Sequence, residues 1–103
     1  MSGQARFEIE TSREGDALVL SASGEFDSAA QPTFLAAAIP AVVAGMTVIV
    51  DLEFVTFIDS SGLRVLVTCH QAAQDSGGQF LVRNQSGPVA YILEATGLTE
   101  LFG

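Results

Sequence analysis

The run Asp59-Ser60-Ser61-Gly62 sets a carboxylate and two hydroxyls between an apolar extended segment and the start of a helical pattern. A helix start leaves up to four backbone N–H groups without intrahelical partners, and the aligned peptide dipoles add partial positive charge there. An anion is stabilised in such a place, so a phosphate ester on Ser60 can form without unfolding the chain around it. The same residues have a plainer use. Ser60 or Ser61 can act as the N-cap, a role typically worth about 1 kcal/mol, and capping is compatible with phosphorylation. Gly62 either permits close packing in the first turn or leaves the hydroxyls open to another protein.

Other chemistries find less support. A serine hydrolase needs a base within hydrogen-bond reach, and His70 is the single histidine. On a helix that begins near Ser60 it lies about 15 Å further along the axis, and the serine lacks the Gly-x-Ser-x-Gly elbow. No catalytic residue is assigned, and the chain reads as a non-enzyme. One cysteine, Cys69, and one histidine cannot supply a disulfide or a structural zinc site, and both are expected to be packing residues. The carboxylates of Glu25, Asp27 and Asp59 are the remaining candidates, for acid–base work or for Mg²⁺. Spacing alone does not bring them together. If the strand ending at Gly24 lies beside the one ending at Asp51, the loops after both open on one sheet edge, the usual binding edge of an open α/β sheet, and the acids share a surface. Neither a metal nor a cofactor is expected.

The elements that must position these residues follow from periodicity. Phe7, Ile9 and Thr11 alternate with polar residues, Glu14-Gly15-Asp16 supplies a turn, and a second strand over residues 17–23 carries Leu18, Leu20 and Ala22 on one face. Asp27 or Ser28 can cap a helix over residues 28–43, with Pro32 tolerated in its first turn and Pro40 expected to kink its end. The β-branched run 46–52 predicts a central strand buried on both faces. Residues 54–58 are then expected to form an apolar loop leading to Ser60. From residue 63 to 75 the polar positions Arg64, Thr68, Gln71 and Asp75 oppose Leu66, Cys69 and Ala73, an amphipathic helix stopped by Gly77-Gly78. A strand over 80–82, a helix over 87–95 stopped by Gly97, and a short apolar tail over 98–102 complete the order β-β-α-β-α-β-α. Successive βα crossovers imply parallel pairing at the sheet centre.

The 103 residues suit a single domain spanning 1–103 with its own hydrophobic core, at 49% hydrophobic content. The formal net charge of -8, with four arginines and no lysine, gives no basic stripe and argues against direct nucleic-acid binding. No apolar run approaches the ~20 residues that span a bilayer, and the N-terminal residues lack the pattern of a secretory signal. A soluble, cytoplasmic protein without membrane association, monomeric or weakly homodimeric, is the expectation.

Four features in order, Gly24-Glu25-Phe26-Asp27, Val48-Ile49-Val50-Asp51-Leu52, Phe57-Ile58-Asp59-Ser60-Ser61-Gly62-Leu63, and Ala95-Thr96-Gly97-Leu98 with Leu101-Phe102, resemble the STAS family, and within it the bacterial anti-anti-sigma factors. The resemblance implies an α/β STAS fold, a mixed sheet of four to five strands with helices mainly on one face. It implies that the unmodified domain binds an anti-sigma factor with serine protein kinase activity and so frees a sigma factor. The kinase would phosphorylate Ser60, directly after the motif aspartate, and a serine phosphatase would restore it. Asp59, Ser61, Gly62, Asp27 and Glu25 would flank the phosphoacceptor, and Arg64, Val67 and Thr68 on the following helix are candidates for partner contact. The competing expectation is a constitutive STAS scaffold or regulatory module, as in stress-signalling assemblies or transporter tails.

Overall fold

Gly15 and Asp16 close a two-residue turn between β1 (Glu8–Glu14) and β2 (Ala17–Phe26), which pair antiparallel. The computed structural model describes residues 6–85, 87–98 and 101, so residues 99, 100 and 102 of the expected tail lie outside the described residues. After β2 come a 3-10 turn (Ser28–Ala30), α1 (Gln31–Val43), β3 (Thr47–Ile58), α2 (Ser60–Ser76), β4 (Gln79–Arg83) and α3 (Gly87–Ala95). The sheet has four strands in the order β1-β2-β3-β4, with β2, β3 and β4 mutually parallel. This is the mixed α/β sheet that the element order implies, and α2 and α3 fall where periodicity places them.

Register assigns the two faces. Leu20, Ala22 and Phe26 of β2, Val48, Val50 and Leu52 of β3 and Phe80 of β4 point one way, into a single cluster with Phe34, Val42, Leu66, Cys69, Val89 and Leu93 from the three helices. Each buried Leu or Phe in that cluster contributes about 1.5–3 kcal/mol. The opposite face carries no helix from this cluster. There Val19 is buried, while Ile49 and Leu81 beside it are half-buried, so β3 is covered fully on one side and not, as its sequence suggested, on both.

The expected apolar loop over 54–58 is instead the second half of β3. The pairing of β2 with β3 slips between Ser21 and Ser23 and again between Gly24 and Glu25. Each slip inserts an extra β3 residue, a β-bulge that resets which side chains face inward. The buried positions therefore run 48, 50, 52, 55, 58, and Phe54 and Phe57 are turned out to solvent. Among the described residues β4 pairs with β3 only as far as Asp51, so the second half of β3 has no strand on that side.

One further expectation is revised. The helix over 28–43 begins as a 3-10 turn, because Asp27 accepts a hydrogen bond from Ala29 N and Ala30 N–H donates to the Asp27 carbonyl, closing a tight turn first. α1 runs on through Pro40 to Val43, the end expected for it; Ala36, whose carbonyl has no N–H from Pro40, is exposed to water together with it.

On the helix-free face one polar contact joins the two edge strands over the pair between them. Arg83 of β4 donates from Nη1 and Nη2 to the Glu14 carboxylate of β1 at 2.9 and 2.7 Å, and its Nε lies 3.4 Å from Asp51 Oδ2. Hydrogen bonding to Arg83 holds Glu14 below the usual glutamate range. Partial burial by itself raises Asp51, but Glu53 N–H, the Asn84 amide and Arg83 outweigh it and hold the carboxyl below its ordinary value. A carboxylate whose pKa is lower in the folded than in the unfolded state stabilises the fold above its unfolded pKa, and that contribution is lost as pH falls through the folded one. It is complete above about pH 5 and declines through ~4 and below. Arg83→Met removes much of the linkage, so the urea midpoint of the variant is expected to fall less than that of the wild type between about pH 6 and pH 3. Equal falls would show that the clamp contributes nothing to acid sensitivity.

Candidate functional site

β2 ends in Gly24-Glu25-Phe26, and Gly24 has φ +92°, where a side chain would be strained and its Cβ would meet the backbone carbonyl of Arg6. This glycine lets β1 and β2 approach at the carboxyl end of the sheet. One step further, Phe26 is the register partner of Ile58, so the next residues, Asp27 and Asp59, leave neighbouring parallel strands about 4.8 Å apart. The Asp59 N–H donates to the Phe26 carbonyl at 3.4 Å, which fastens the two loops together. The two aspartates thus share one sheet edge, as the strand reading anticipated. Glu25 does not join them: it pairs with Phe57, and both side chains alternate to the helix-free face.

Both aspartates have the same local geometry. Asp27 is extended at φ -120°, ψ -167° and Asp59 at φ -116°, ψ -171°, and each turns its side chain back to cap the helical turn after it. The N-cap of α2 is therefore Asp59, and neither Ser60 nor Ser61. Asp59 Oδ1 accepts from Ser61 N at 2.8 Å and from Gly62 N at 3.2 Å, and its carbonyl accepts from Leu63 N at 3.0 Å. A carboxylate suits this post because it carries charge as well as an acceptor to the positive end of the helix. Ser60, freed from capping, is the first residue of the helix and is exposed; Ser61 is half-buried, with its carbonyl accepting from Gln31 Nε2 of α1 at 3.2 Å.

Gly62 is buried, and the structure decides between its two roles. A Cβ here would lie 2.5 Å from the Phe26 carbonyl oxygen, 2.8 Å from Ile58 Cγ1 and 2.9 Å from Phe26 Cδ1. Close packing of the first turn of α2 on the end of β2 requires the glycine. Beyond it, Arg64 and Thr68 are exposed and follow Ser60 at four-residue steps along one ridge of α2, with Gln71 and Asp75 also exposed. Val67 is half-buried and packs against the core, so the ridge beside Ser60 is carried by Arg64 and Thr68. Cys69 is fully buried in the core, and burial pushes its thiol up to about 11, which suits a packing residue.

The sequence reading missed two features. Phe57, at 46% exposure, and Phe54, at 66%, are solvent-facing aromatics at the same end of the sheet. Read as part of an apolar loop, they carried no expected facing, and only the bulges in β3 turn them out. The Gln31 to Ser61 contact joins residues thirty positions apart, and no local pattern signals it. Among the described residues no three His, Cys, Asp or Glu side chains are grouped as ligands for a metal ion. Nor, among the described residues, is any helix long and apolar enough to cross a membrane.

The model for the STAS domain matches residues 8–103. Among solved structures, an anti-sigma factor antagonist from Mycobacterium paratuberculosis is 28% identical, with a TM-score of 0.78 over 99% of this chain and 87% of that one. The anti-sigma factor antagonist SpoIIAA in its unphosphorylated form is 25% identical, with a TM-score of 0.77 over 92% of this chain and 84% of that one. The phosphorylated form of SpoIIAA, a Bacillus cell fate determinant, has the same fold at 22% identity and a TM-score of 0.72 over 94% of this chain and 87% of that one. No curated protein sequence matches the chain.

Gly62→Ala is expected to destabilise the fold by about 1–2 kcal/mol in urea unfolding, because the overpacking cost against a backbone carbonyl exceeds the gain in helix propensity. Asp59→Ala should cost about 0.5–2 kcal/mol and Asp59→Asn little, since asparagine caps nearly as well. A Gly62→Ala variant as stable as wild type would refute the packing role.

Proposed function

The chain belongs to the STAS domain family, and from that membership we propose that it is an anti-sigma factor antagonist switched by phosphorylation of Ser60. In this reading the unmodified chain binds an anti-sigma factor that is also a serine protein kinase, and a sigma factor is released. The kinase transfers the γ-phosphoryl group of ATP to Ser60 Oγ, the hydroxyl proton leaves to a base of the kinase, and ADP departs. A serine phosphatase hydrolyses the ester and returns the hydroxyl and inorganic phosphate. The chain is the substrate of both enzymes and itself catalyses neither step. The setting is the cytoplasm, and the chain acts on transcription without touching nucleic acid.

The observation that carries the reading is the position of Ser60: exposed, first in α2, directly after a cap that is already made by Asp59. Its hydroxyl holds no hydrogen bond with the described residues that modification would have to break. The likeness to anti-sigma factor antagonists at 25% and 28% identity supports the role in general. Phosphorylation adds about -1.5 to -2 charges beside Asp59 and the neighbouring Asp27, on a surface that a partner must desolvate. Arg64 and Thr68, continuing the same ridge, form the adjoining contact surface.

With the cognate kinase and ATP, intact-mass and peptide mapping are expected to find a single phosphate, at Ser60, and none on a Ser60→Ala variant. Ser60→Ala should bind the unmodified chain's partner with little change, whereas phosphorylation should weaken binding by about two to three decades, or ~3–4 kcal/mol. Asp59→Asn keeps the cap and removes a charge, so it should reduce the effect of the phosphate without unfolding the chain. Equal binding by the phosphorylated and unmodified forms would sink the switch and favour a constitutive scaffold.

A further inference from the structure

Of the first four N–H groups of α2, three are already engaged. Those of Ser61 and Gly62 donate to the Asp59 side chain, and that of Leu63 donates to the Asp59 carbonyl. The donors that a helix start ordinarily offers to an anion are thus reduced to the N–H of Ser60 itself. The acids that adjoin this position are Asp59, which precedes it, and Asp27 at the start of the neighbouring loop, each turned back to cap its own turn, with the neutral Gln31 amide behind Ser61; Glu25 lies on the other sheet face. A phosphate on Ser60 would therefore meet two like charges and a single free donor. Such a setting raises its second pKa from the usual value of about 6 toward neutrality and leaves it partly a monoanion.

One cation is placed to correct this. Arg64 is exposed, stands one turn along the ridge from Ser60, and makes no ion pair with the described residues. It is the only Lys or Arg on any helix: Arg83 is held by Glu14 and Asp51, Arg13 lies in β1 and Arg6 precedes it. Residues at i and i+4 have Cβ atoms about 5–6 Å apart, within the reach of an arginine, and an acid placed before a base is the favourable order.

We propose that Arg64 is the internal counter-cation of the modified state, its guanidinium forming charge-assisted hydrogen bonds to the phosphate oxygens of phosphorylated Ser60. The proposal rests on Ser60 as the phosphoacceptor and adds what sets the charge of the off state. By favouring the dianion, Arg64 opposes Asp59 and Asp27 and raises the fully ionised fraction of the phosphate at neutral pH. The same contact draws the guanidinium toward Ser60, away from the ridge that Thr68 continues.

The test places phosphoserine at position 60 during translation, so that no kinase is needed, and follows the ³¹P shift through a pH titration. Arg64→Ala is expected to raise the second ionisation by about 0.15–0.4 pH units, Arg64→Lys to restore most of it, and Arg13→Ala, paired with Leu18 at the far end of the sheet, to change it by less than about 0.05. The Arg64 effect should shrink in about 1 M salt, as a surface pair does. A ¹H–¹⁵N spectrum of each variant checks that the fold is kept. If Arg64→Ala titrates like wild type, or Arg13→Ala shifts as far as Arg64→Ala, the pairing is overturned. A Ser60 that no kinase modifies would instead overturn the switch, and the titration would still report on Arg64.

Discussion

The tightest constraint in this molecule is the contact between the first turn of α2 and the end of β2. Gly62 allows the Phe26 carbonyl to approach within a distance that any side chain would forbid, and Asp59 N–H bonds to that same carbonyl. The contact fixes where α2 starts, and with it which residue caps and which is left exposed. Because Asp59 takes the capping bonds, the hydroxyl of Ser60 has no structural duty. A residue with no structural duty can be modified without cost to the fold, and that separation of labour is what makes a reversible switch at this corner physically workable.

The sheet supplies the second half of the arrangement. Parallel pairing of Phe26 with Ile58 delivers two loops to one edge, and both begin with an aspartate in the same extended conformation. A negative group added at Ser60 in the proposed switch would adjoin the two aspartates already at that edge. Arg64 is the only Lys or Arg on the helices, which is what gives its single charge weight in the proposed pairing.

Much of this was legible in the residues, for identifiable reasons. The ridge of α2 was readable because Arg64, Thr68, Gln71 and Asp75 keep a helical period, and all four are exposed. The shared edge of Asp27 and Asp59 followed once parallel pairing was inferred. What escaped had non-local causes. The bulges in β3 break the alternation by which a strand is recognised, so Phe54 to Ile58 looked like a loop. The cap went to Asp59 because a third side chain competed with the two serines, and their oxygens are individually as suitable. Arg83 and Glu14 lie sixty-nine positions apart, and only the twist and register of four strands bring them together. Local propensity constrains none of these.

The irregular pairing of β3 has a further effect. Beyond Asp51 its far side has no partner strand among the described residues, which leaves peptide groups able to recruit a foreign strand and extend the sheet from one molecule into the next. Continued pairing of that kind needs evenly spaced donors and acceptors. The two inserted residues disturb that spacing and twist the margin, and Glu53 adds a charge to it. The distortion that turns Val55 and Ile58 inward also makes this border a poor template for aggregation.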